Sequence, residues 1–252
     1  MKTPAQQRPL VVAHRGSSGT APENTMAAFR LAVAAGADMI EFDVRMTRDF
    51  ELVVHHDRSL GRTSDGSGRI WDLTLGDLRG SDAGSWFAKK FAGERIPTLR
   101  QVLEEIPVSV GLDIEVKTDG DRRRGVALGE SVVLLVREAR REGNVVVSSF
   151  DHGFLGRLHR LDPSLRIGAL YLPVRDRFRS PGQIARRTGA SMFICSRSQL
   201  RARHMRDARA SGLSVAVYGV NTPGELAAAR RAGVDAVITD DPARIIRAIR
   251  SS

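Results

Sequence analysis

The chain has 252 residues, of which 42% are hydrophobic, and it carries a formal net charge of +10. That length suits one α/β barrel, and the apolar content is sufficient for a full-sized core. The single cysteine, Cys195, excludes an internal disulfide and a cysteine metal cluster. No apolar run approaches the ~20 residues of a membrane span, and the first ten residues contain no apolar signal core. We therefore expect a soluble, cytoplasmic protein with no stable membrane insertion.

The positive charge points to a small anionic substrate, because a positive field concentrates anions and speeds their encounter. Nucleic-acid binding is the other partner class that such a charge suggests. However, the basic residues are dispersed along predicted helices, as in 137–141 and 201–209. A basic tail and an aromatic-interleaved basic strand are both missing from the sequence. We therefore expect no nucleic-acid partner.

The first predicted unit is a short apolar strand, Leu10–Ala13, that ends in His14, Arg15 and Gly16. A loop containing Gly and Pro follows over 17–23, and the apolar spacing then predicts a helix over 24–36. Gly36 suits the left-handed position that ends a helix. This unit therefore leaves a histidine and an arginine at the carboxyl end of a strand.

The second predicted strand, Met39–Thr47, carries two carboxylates on one face. Side chains alternate along a strand, so Glu41 and Asp43 point the same way. After a turn over 48–51, an extended run over 52–54 delivers His55 and His56. Two interpretations are open at this point. The carboxylates could hold Mg²⁺ or Ca²⁺ beside a proton-transferring histidine, or they could pair with interior arginines.

Residues 57–97 interrupt the regular pattern. The segment contains seven glycines and both tryptophans, Trp71 and Trp86. It is too long for a plain connection, so we predict an insertion at about 58–97, between the second strand and the second barrel helix. Thr74 and Asp77 have the spacing of a cap for a short helix inside it.

The remainder alternates between strands and helices with caps at the expected places. The predicted strands cover 111–118, 145–150, 166–171, 191–196, 214–221 and 235–239, and the predicted helices cover 98–106, 124–143, 152–161, 180–189, 199–212, 222–233 and 243–250. Eight strand–helix units predict a single (β/α)₈ TIM barrel. An open doubly wound sheet is the alternative, but Gly16–Gly19 lacks the G-x-G-x-x-G spacing typical of it.

Active sites of such barrels lie at the carboxyl ends of the strands, where the polar residues of this chain fall. The third strand adds Glu115 and Lys117 to this end. Three carboxylates could hold one divalent cation, and two cationic side chains could neutralise a bound phosphate. Two histidines allow one base and one acid. Because the chain has no P-loop or kinase signature, phosphodiester cleavage fits this set best.

Several short motifs resemble, in order, those of the glycerophosphodiester phosphodiesterases. These are His14-Arg15-Gly16, Pro22-Glu23-Asn24-Thr25, Glu41-Phe42-Asp43, His56-Asp57 and Glu115-Val116-Lys117, with Asp82–Trp86 resembling the barrel insertion and Val217–Asn221 and Ile238–Asp240 the last two strands. The similarity is greatest to the short bacterial cytoplasmic members. The resemblance runs nearly the whole chain and implies one such domain over 1–252.

The resemblance implies metal-dependent hydrolysis of glycerophosphodiesters to glycerol 3-phosphate and an alcohol. It places one divalent cation, Mg²⁺ or Ca²⁺, on Glu41, Asp43 and Glu115, acid/base catalysis on His14 and His56, and phosphate binding on Arg15 and Lys117. It also implies that the glycerol 2-hydroxyl attacks phosphorus and that water opens the resulting cyclic phosphate.

Two departures and two alternative functions accompany this resemblance. Phe50 stands where a turn glycine is common, which would permit a reshaped turn, and Tyr218 stands where many members carry tryptophan. A related phospholipase-type phosphodiesterase would benefit from an exposed apolar rim, and the sequence identifies none. A non-catalytic phosphate-binding barrel would have lost a histidine or a ligand, and none is lost.

Overall fold

The computed structural model describes residues 8–251. Residues 1–7, which hold most of the N-terminal segment expected to lack a signal core, lie outside the described residues. Nine strands form one sheet: β1 Leu10–His14, β2 Met39–Met46, β3 Leu52–Val54, β4 Gly111–Val116, β5 Val145–Ser149, β6 Arg166–Leu170, β7 Met192–Ser196, β8 Ser214–Tyr218 and β9 Ala236–Thr239. All neighbours are parallel except β3, which runs antiparallel to β2 at the rim.

The sheet closes because β1 pairs with both β9 and β2. The eight parallel strands therefore form a barrel, and the helices between them complete the predicted (β/α)₈ fold. The strand register places His14 beside Glu41, Glu41 beside Asp113, and Asp43 beside Glu115. Barrel closure thus brings the polar residues of β1, β2 and β4 to one end of the molecule.

Ten α-helices lie in the described residues: α1 Met26–Ala35, α2 Leu75–Leu78, α3 Leu99–Glu105, α4 Arg122–Glu138, α5 His152–Leu161, α6 Pro173–Asp176, α7 Pro181–Thr188, α8 Ala202–Ala210, α9 Pro223–Ala232 and α10 Pro242–Arg250. The capping boxes of α2, α7 and α9 form as the sequence indicates. The one expected at α3 forms only in part, because the Gln101 side chain donates to Glu105 instead of returning to Thr98.

Several predicted element bounds were wrong. The strand expected over 111–118 ends at Val116, and the helix expected over 199–212 spans Ala202–Ala210, after a 3₁₀ turn at Arg197–Gln199. Two further differences have a clear cause. The helix expected over 124–143 spans Arg122–Glu138, because Asp121 caps it two residues earlier and Arg140 leaves the helical conformation with φ +54°. The strand expected over 214–221 ends at Tyr218, because Gly219 turns the chain with φ +81°.

The insertion continues from β3 to α3 and contains α2 and two short 3₁₀ turns, Ile70–Asp72 and Lys89–Phe91. A small apolar cluster of its own, built on Val53, Ile70 and Leu78, holds it together. The main core lies between the barrel and its helices, and Cys195 is buried in it. Within residues 8–251, none of the helices has both the length and the apolar character needed to cross a bilayer.

Candidate active site

Four acidic side chains point into the carboxyl end of the barrel. Alternation along β2 directs Glu41 and Asp43 inward, and alternation along β4 does the same for Asp113 and Glu115. Ligand atoms of Glu41, Asp43 and Glu115 lie within 4.8 Å of one another, and all three residues are buried. The three predicted metal ligands are therefore brought together in one cluster.

Two cations compensate part of this charge, and both contact Asp43. The Arg15 Nε lies 3.1 Å from Asp43 Oδ2, and the Lys117 Nζ lies 2.9 Å from Asp43 Oδ1. Lys117 also donates to Glu115. Asn24 donates its side-chain amide to Asp43 Oδ2 at 2.9 Å. Asp43 therefore does form the interior ion pairs that were the alternative interpretation of the β2 carboxylates.

Glu41 is less well compensated than Asp43. Its Oε2 accepts the backbone N–H of Arg15 at 3.0 Å, and its Oε1 has no hydrogen-bond partner among the residues described. A buried carboxylate oxygen without a partner is unfavourable. A hard divalent cation suits this position, because Mg²⁺ and Ca²⁺ take carboxylate oxygens as ligands.

The pKa values of the cluster follow from burial and charge. Burial, reinforced by the charge of Asp43, raises the pKa of Glu41 to about 7. Burial likewise raises the pKa of Glu115 to about 7 against the opposing charge of Lys117, and that of Asp113 to about 7. Burial would also raise the pKa of Asp43, but Lys117 and then Arg15 hold it well below its usual value.

Each of the two predicted catalytic histidines has one ring nitrogen engaged by a carboxylate. The His14 Nδ1 lies 2.7 Å from Asp240 Oδ1, and the His56 Nδ1 lies 2.7 Å from Asp57 Oδ1. The carboxylate thus engages Nδ1 and not Nε2 in each ring, and the His14 Nε2 lies 3.9 Å from Glu41 Oε2. Such a carboxylate fixes the tautomer and orientation of an imidazole.

The two histidines differ in their electrostatic environment. Burial lowers the pKa of His14, but the hydrogen bond with Asp240 and the charge of Glu41 outweigh it, so the net shift is upward. Burial lowers the pKa of His56, and the charge of Asp43 offsets this only in part. His55 is buried with its Nε2 3.4 Å from the Ser59 carbonyl, outside the cavity. The alternation expected for these neighbours is therefore present.

The polar residues surround a cavity of about 270 Å³. Six of the seven predicted site residues line it, and Asp43 is buried beneath them. The remaining wall is largely apolar: Phe150, Leu170, Ile194, Tyr218 and Ile238. Tyr218, which stands where many members of the resembling family carry tryptophan, is thus part of this wall. A cavity of this size, with anion-binding groups at one side and an apolar wall at the other, suits a small organic phosphate.

Residues 14–244 match the model of the glycerophosphoryl diester phosphodiesterase family. The chain belongs to this family. A glycerophosphodiester phosphodiesterase of Caldanaerobacter subterraneus is 37% identical over 96% of this chain and 98% of the relative. Among solved structures, a phosphodiesterase of Oleispira antarctica superposes with a TM-score of 0.88 at 29% identity, covering 99% of this chain and 100% of the other. A glycerophosphodiester phosphodiesterase of Agrobacterium tumefaciens superposes with a TM-score of 0.83 at 29% identity, covering 95% and 99%. The expected phosphoric diester hydrolase is confirmed at the level of the family.

Three residues of this phosphodiesterase site were missed by reasoning from the sequence. Asp113 shares the inward face of β4 with Glu115, and its alternation signal was visible. Asp240 follows the last strand, at the same end of the barrel as His14, and its Oδ2 is held by the Asn221 amide at 2.7 Å. Asn24 positions Asp43 from a left-handed backbone conformation, φ +60°, and the signal available for it was the residue type, since asparagine adopts this conformation more readily than most.

Proposed function

We propose that this phosphodiesterase hydrolyses glycerophosphodiesters to glycerol 3-phosphate and an alcohol, using one divalent cation and two histidines. The observation that carries the proposal is the placement of His14 and His56 around the same cavity as the acidic cluster. Membership of the family supports it, as does the Oleispira antarctica phosphodiesterase, which was solved in complex with the product sn-glycerol-3-phosphate.

In this proposal Glu41, Asp43 and Glu115 hold the cation, Mg²⁺ or Ca²⁺. Their ligand atoms are close together, all are hard oxygens, and the unpartnered Glu41 Oε1 is ready to coordinate. When bound, the cation supplies Lewis-acid stabilisation of negative charge on the phosphate. Arg15 and Lys117 bind the same phosphate, because both line the cavity and both are permanently charged at neutral pH.

The histidines move the protons in this proposal. The attacking hydroxyl, which we take to be the glycerol 2-hydroxyl, must lose a proton, and the leaving alkoxide must gain one. Each ring presents its Nε2 because its Nδ1 is engaged by Asp240 or Asp57. One histidine acts as base and the other as acid, and they exchange these roles when water opens the cyclic phosphate.

The insertion at about 58–97 contributes to substrate recognition in this proposal, within one domain over 1–252. Its Arg62 donates to Glu23 Oε1 at 2.7 Å and to Asp57 Oδ2 at 2.5 Å. These carboxylates in turn contact Arg15 and His56. One exposed arginine of the insertion therefore holds the partners of two cavity residues.

The test is release of glycerol 3-phosphate from glycerophosphocholine, with and without a chelator. We expect the chelator to abolish release and added Mg²⁺ or Ca²⁺ to restore it. His14→Ala and His56→Ala should each lower kcat by roughly two to four orders of magnitude while metal binding persists. His55→Ala is the matched control, because it removes a neighbouring imidazole from outside the cavity.

A nitrophenyl phosphodiester distinguishes the two histidines, since its acidic leaving group departs without protonation. It should rescue only the variant that lacks the general acid. Turnover that survives the chelator would contradict the role of the metal. A folded His55→Ala variant more impaired than His56→Ala would contradict the assignment of the histidines.

A further inference from the structure

The most exposed large hydrophobic side chains of the described chain include two in the segment between β6 and α7. Val174 is 88% exposed and Phe178 is 84% exposed. The segment starts immediately after Leu170, the last residue of β6, which lines the catalytic cavity. It therefore forms part of the rim of the barrel mouth. The sequence identified no exposed apolar rim, and the structure supplies one.

The same segment is basic at its surface. Arg175, Arg177 and Arg179 alternate with the apolar residues, and its one acidic residue, Asp176, is fully buried. Asp176 is held by Arg175, Arg179 and the Leu172 N–H, and it lies 3.6 Å from the His152 Nδ1. The contacts with Arg175, Arg179 and Leu172 order the segment internally, and the contact with His152 joins it to the start of α5.

An open cavity of about 510 Å³ adjoins the segment, and its walls are Phe178, Arg179, Gln183, Arg186 and Arg187. Within residues 8–251, no carboxylate pairs with Arg177, Arg186 or Arg187. The Arg177 guanidinium lies over the Phe178 ring at 4.6 Å from its centroid. The cavity therefore offers uncompensated positive charge beside an exposed aromatic ring.

We propose that this surface, which runs from the rim of the mouth along the outer face of α7, docks the enzyme reversibly on an anionic lipid bilayer. It is defined as Val174, Arg177, Phe178, Arg186 and Arg187 and is called the α7 patch. Shallow burial of Val174 and Phe178 between headgroups removes apolar surface from water, and the arginines neutralise lipid phosphates. Lipid suits the patch better than nucleic acid does, because an exposed valine gains nothing from a sugar–phosphate backbone.

The test is co-sedimentation of the full chain with vesicles of phosphatidylcholine alone and of an equimolar mixture with phosphatidylglycerol. We expect binding to the anionic vesicles to be much the stronger and to weaken with salt. The double variant Val174→Ser/Phe178→Ser should bind about tenfold more weakly. The triple variant Arg177→Ser/Arg186→Ser/Arg187→Ser should lose about a hundredfold, at roughly fivefold per arginine.

The matched control is Val108→Ser/Arg250→Ser, which also removes an exposed valine and an arginine. Val108 is 74% exposed and lies before β4, at the amino end of the strands, away from the cavity. This control should bind like the wild type. All variants should keep the melting temperature of the wild type and its turnover of soluble glycerophosphocholine. Loss of vesicle binding can then be distinguished from failure of the proposed reaction.

Three results would overturn the proposal. One is equal binding to neutral and anionic vesicles, and another is full vesicle binding by both patch variants. The third is a wild-type protein that does not bind vesicles and instead binds another partner through the patch. That partner would be a single-stranded oligonucleotide, measured by fluorescence anisotropy, or a second copy of the chain, measured by sedimentation velocity.

Discussion

Phe50 holds a conformation that side chains of its kind rarely adopt. Its φ is +66°, in the left-handed region, and its ring is 57% exposed. The turn between β2 and β3 is nevertheless closed, with the Phe50 N–H donating to Thr47 O at 3.2 Å. Arg124 stabilises this turn, donating to the same carbonyl at 2.6 Å and lying 5.6 Å from the Phe50 ring. The turn thus has the left-handed backbone geometry that a glycine at position 50 would adopt.

We predict that Phe50→Gly is more stable than Phe50→Ala by about 1 kcal/mol. Both variants lose the ring and its contact with Arg124, so the difference isolates the backbone. Alanine keeps the left-handed strain, whereas glycine adopts that conformation freely. Urea unfolding of the two variants measures the difference, and equal midpoints would contradict the idea that the turn is strained.

The site residues that could be predicted from the sequence were those whose placement depends on the alternation of side chains along a strand. Alternation alone placed Glu41 with Asp43 and separated His55 from His56. Asp240 was not predictable as a partner of His14, because the two are 226 residues apart and only barrel closure brings them together. The left-handed position of Arg15 depends likewise on tertiary contacts that no local propensity encodes, whereas that of Asn24 agrees with the known tolerance of asparagine for this region.

At the scale of elements, the insertion contacts the partners of two cavity residues through Arg62. We predict that Arg62→Ala lowers kcat/KM by roughly tenfold to a hundredfold, because Glu23 and Asp57 lose the group that holds them. Bound metal should be unaffected, since Arg62 contacts none of the three proposed ligands. Arg95→Ala, an exposed arginine of the same insertion that donates to Gly80 O, is the matched control. Equal kcat/KM in the two variants would remove this role from the insertion.

Helices α4 and α5 are joined at one end by Asp162, which is almost fully buried. It accepts from the Ser164 N–H and hydroxyl, and Arg137 donates to it from α4. Burial alone would raise the pKa of Asp162, but the hydrogen bonds from Ser164 and then the Arg137 pair hold it below its usual value. The folded state therefore favours the ionised carboxylate.

We predict that Asp162→Asn lowers the free energy of unfolding at pH 7 by about 1 kcal/mol. Because the folded pKa lies below that of the unfolded chain, about 3.9, the stabilisation is present above that value. It is lost as the pH falls through the folded pKa. The gap between wild type and variant should narrow between pH 5 and about 3 in urea titrations. A gap that is constant over this range would show that the charge of Asp162 does not contribute.

Element order was predicted from the sequence better than element ends were. Hydrophobic periodicity and caps gave all eight strand–helix units in their correct order. The errors arose where a single residue changes the backbone direction, as at Arg140 and Gly219. Side-chain competition produced the remaining difference, since Gln101 had two acceptable partners and tertiary packing selected Glu105.

At the scale of the whole molecule, charge is separated between surface and interior. The chain as a whole is basic, with a net charge of +10. The site is acidic instead, because four carboxyl groups, Glu41, Asp43, Asp113 and Glu115, lie there and Arg15 and Lys117 are the permanent cations that line the same cavity among the described residues. A positive outer field favours the approach of anions, and the inner cluster has the composition of a site that could hold a cation.

This separation predicts that metal stabilises the fold independently of substrate. A cation that binds only the folded state, present at a hundredfold excess over its Kd, should raise the melting temperature by roughly 5–10 °C. Glu41→Gln should lose most of that increment, because it removes the charge of the least compensated ligand. Glu105→Gln, the same change in a carboxylate that pairs with Arg30 at the surface, should keep it in full. Thermal scans of the chelated and Mg²⁺- or Ca²⁺-supplemented proteins measure both. If the metal left the wild-type melting temperature unchanged, the proposed site would be contradicted. This holds even if turnover required metal, because the cation would then bind the enzyme only together with its substrate.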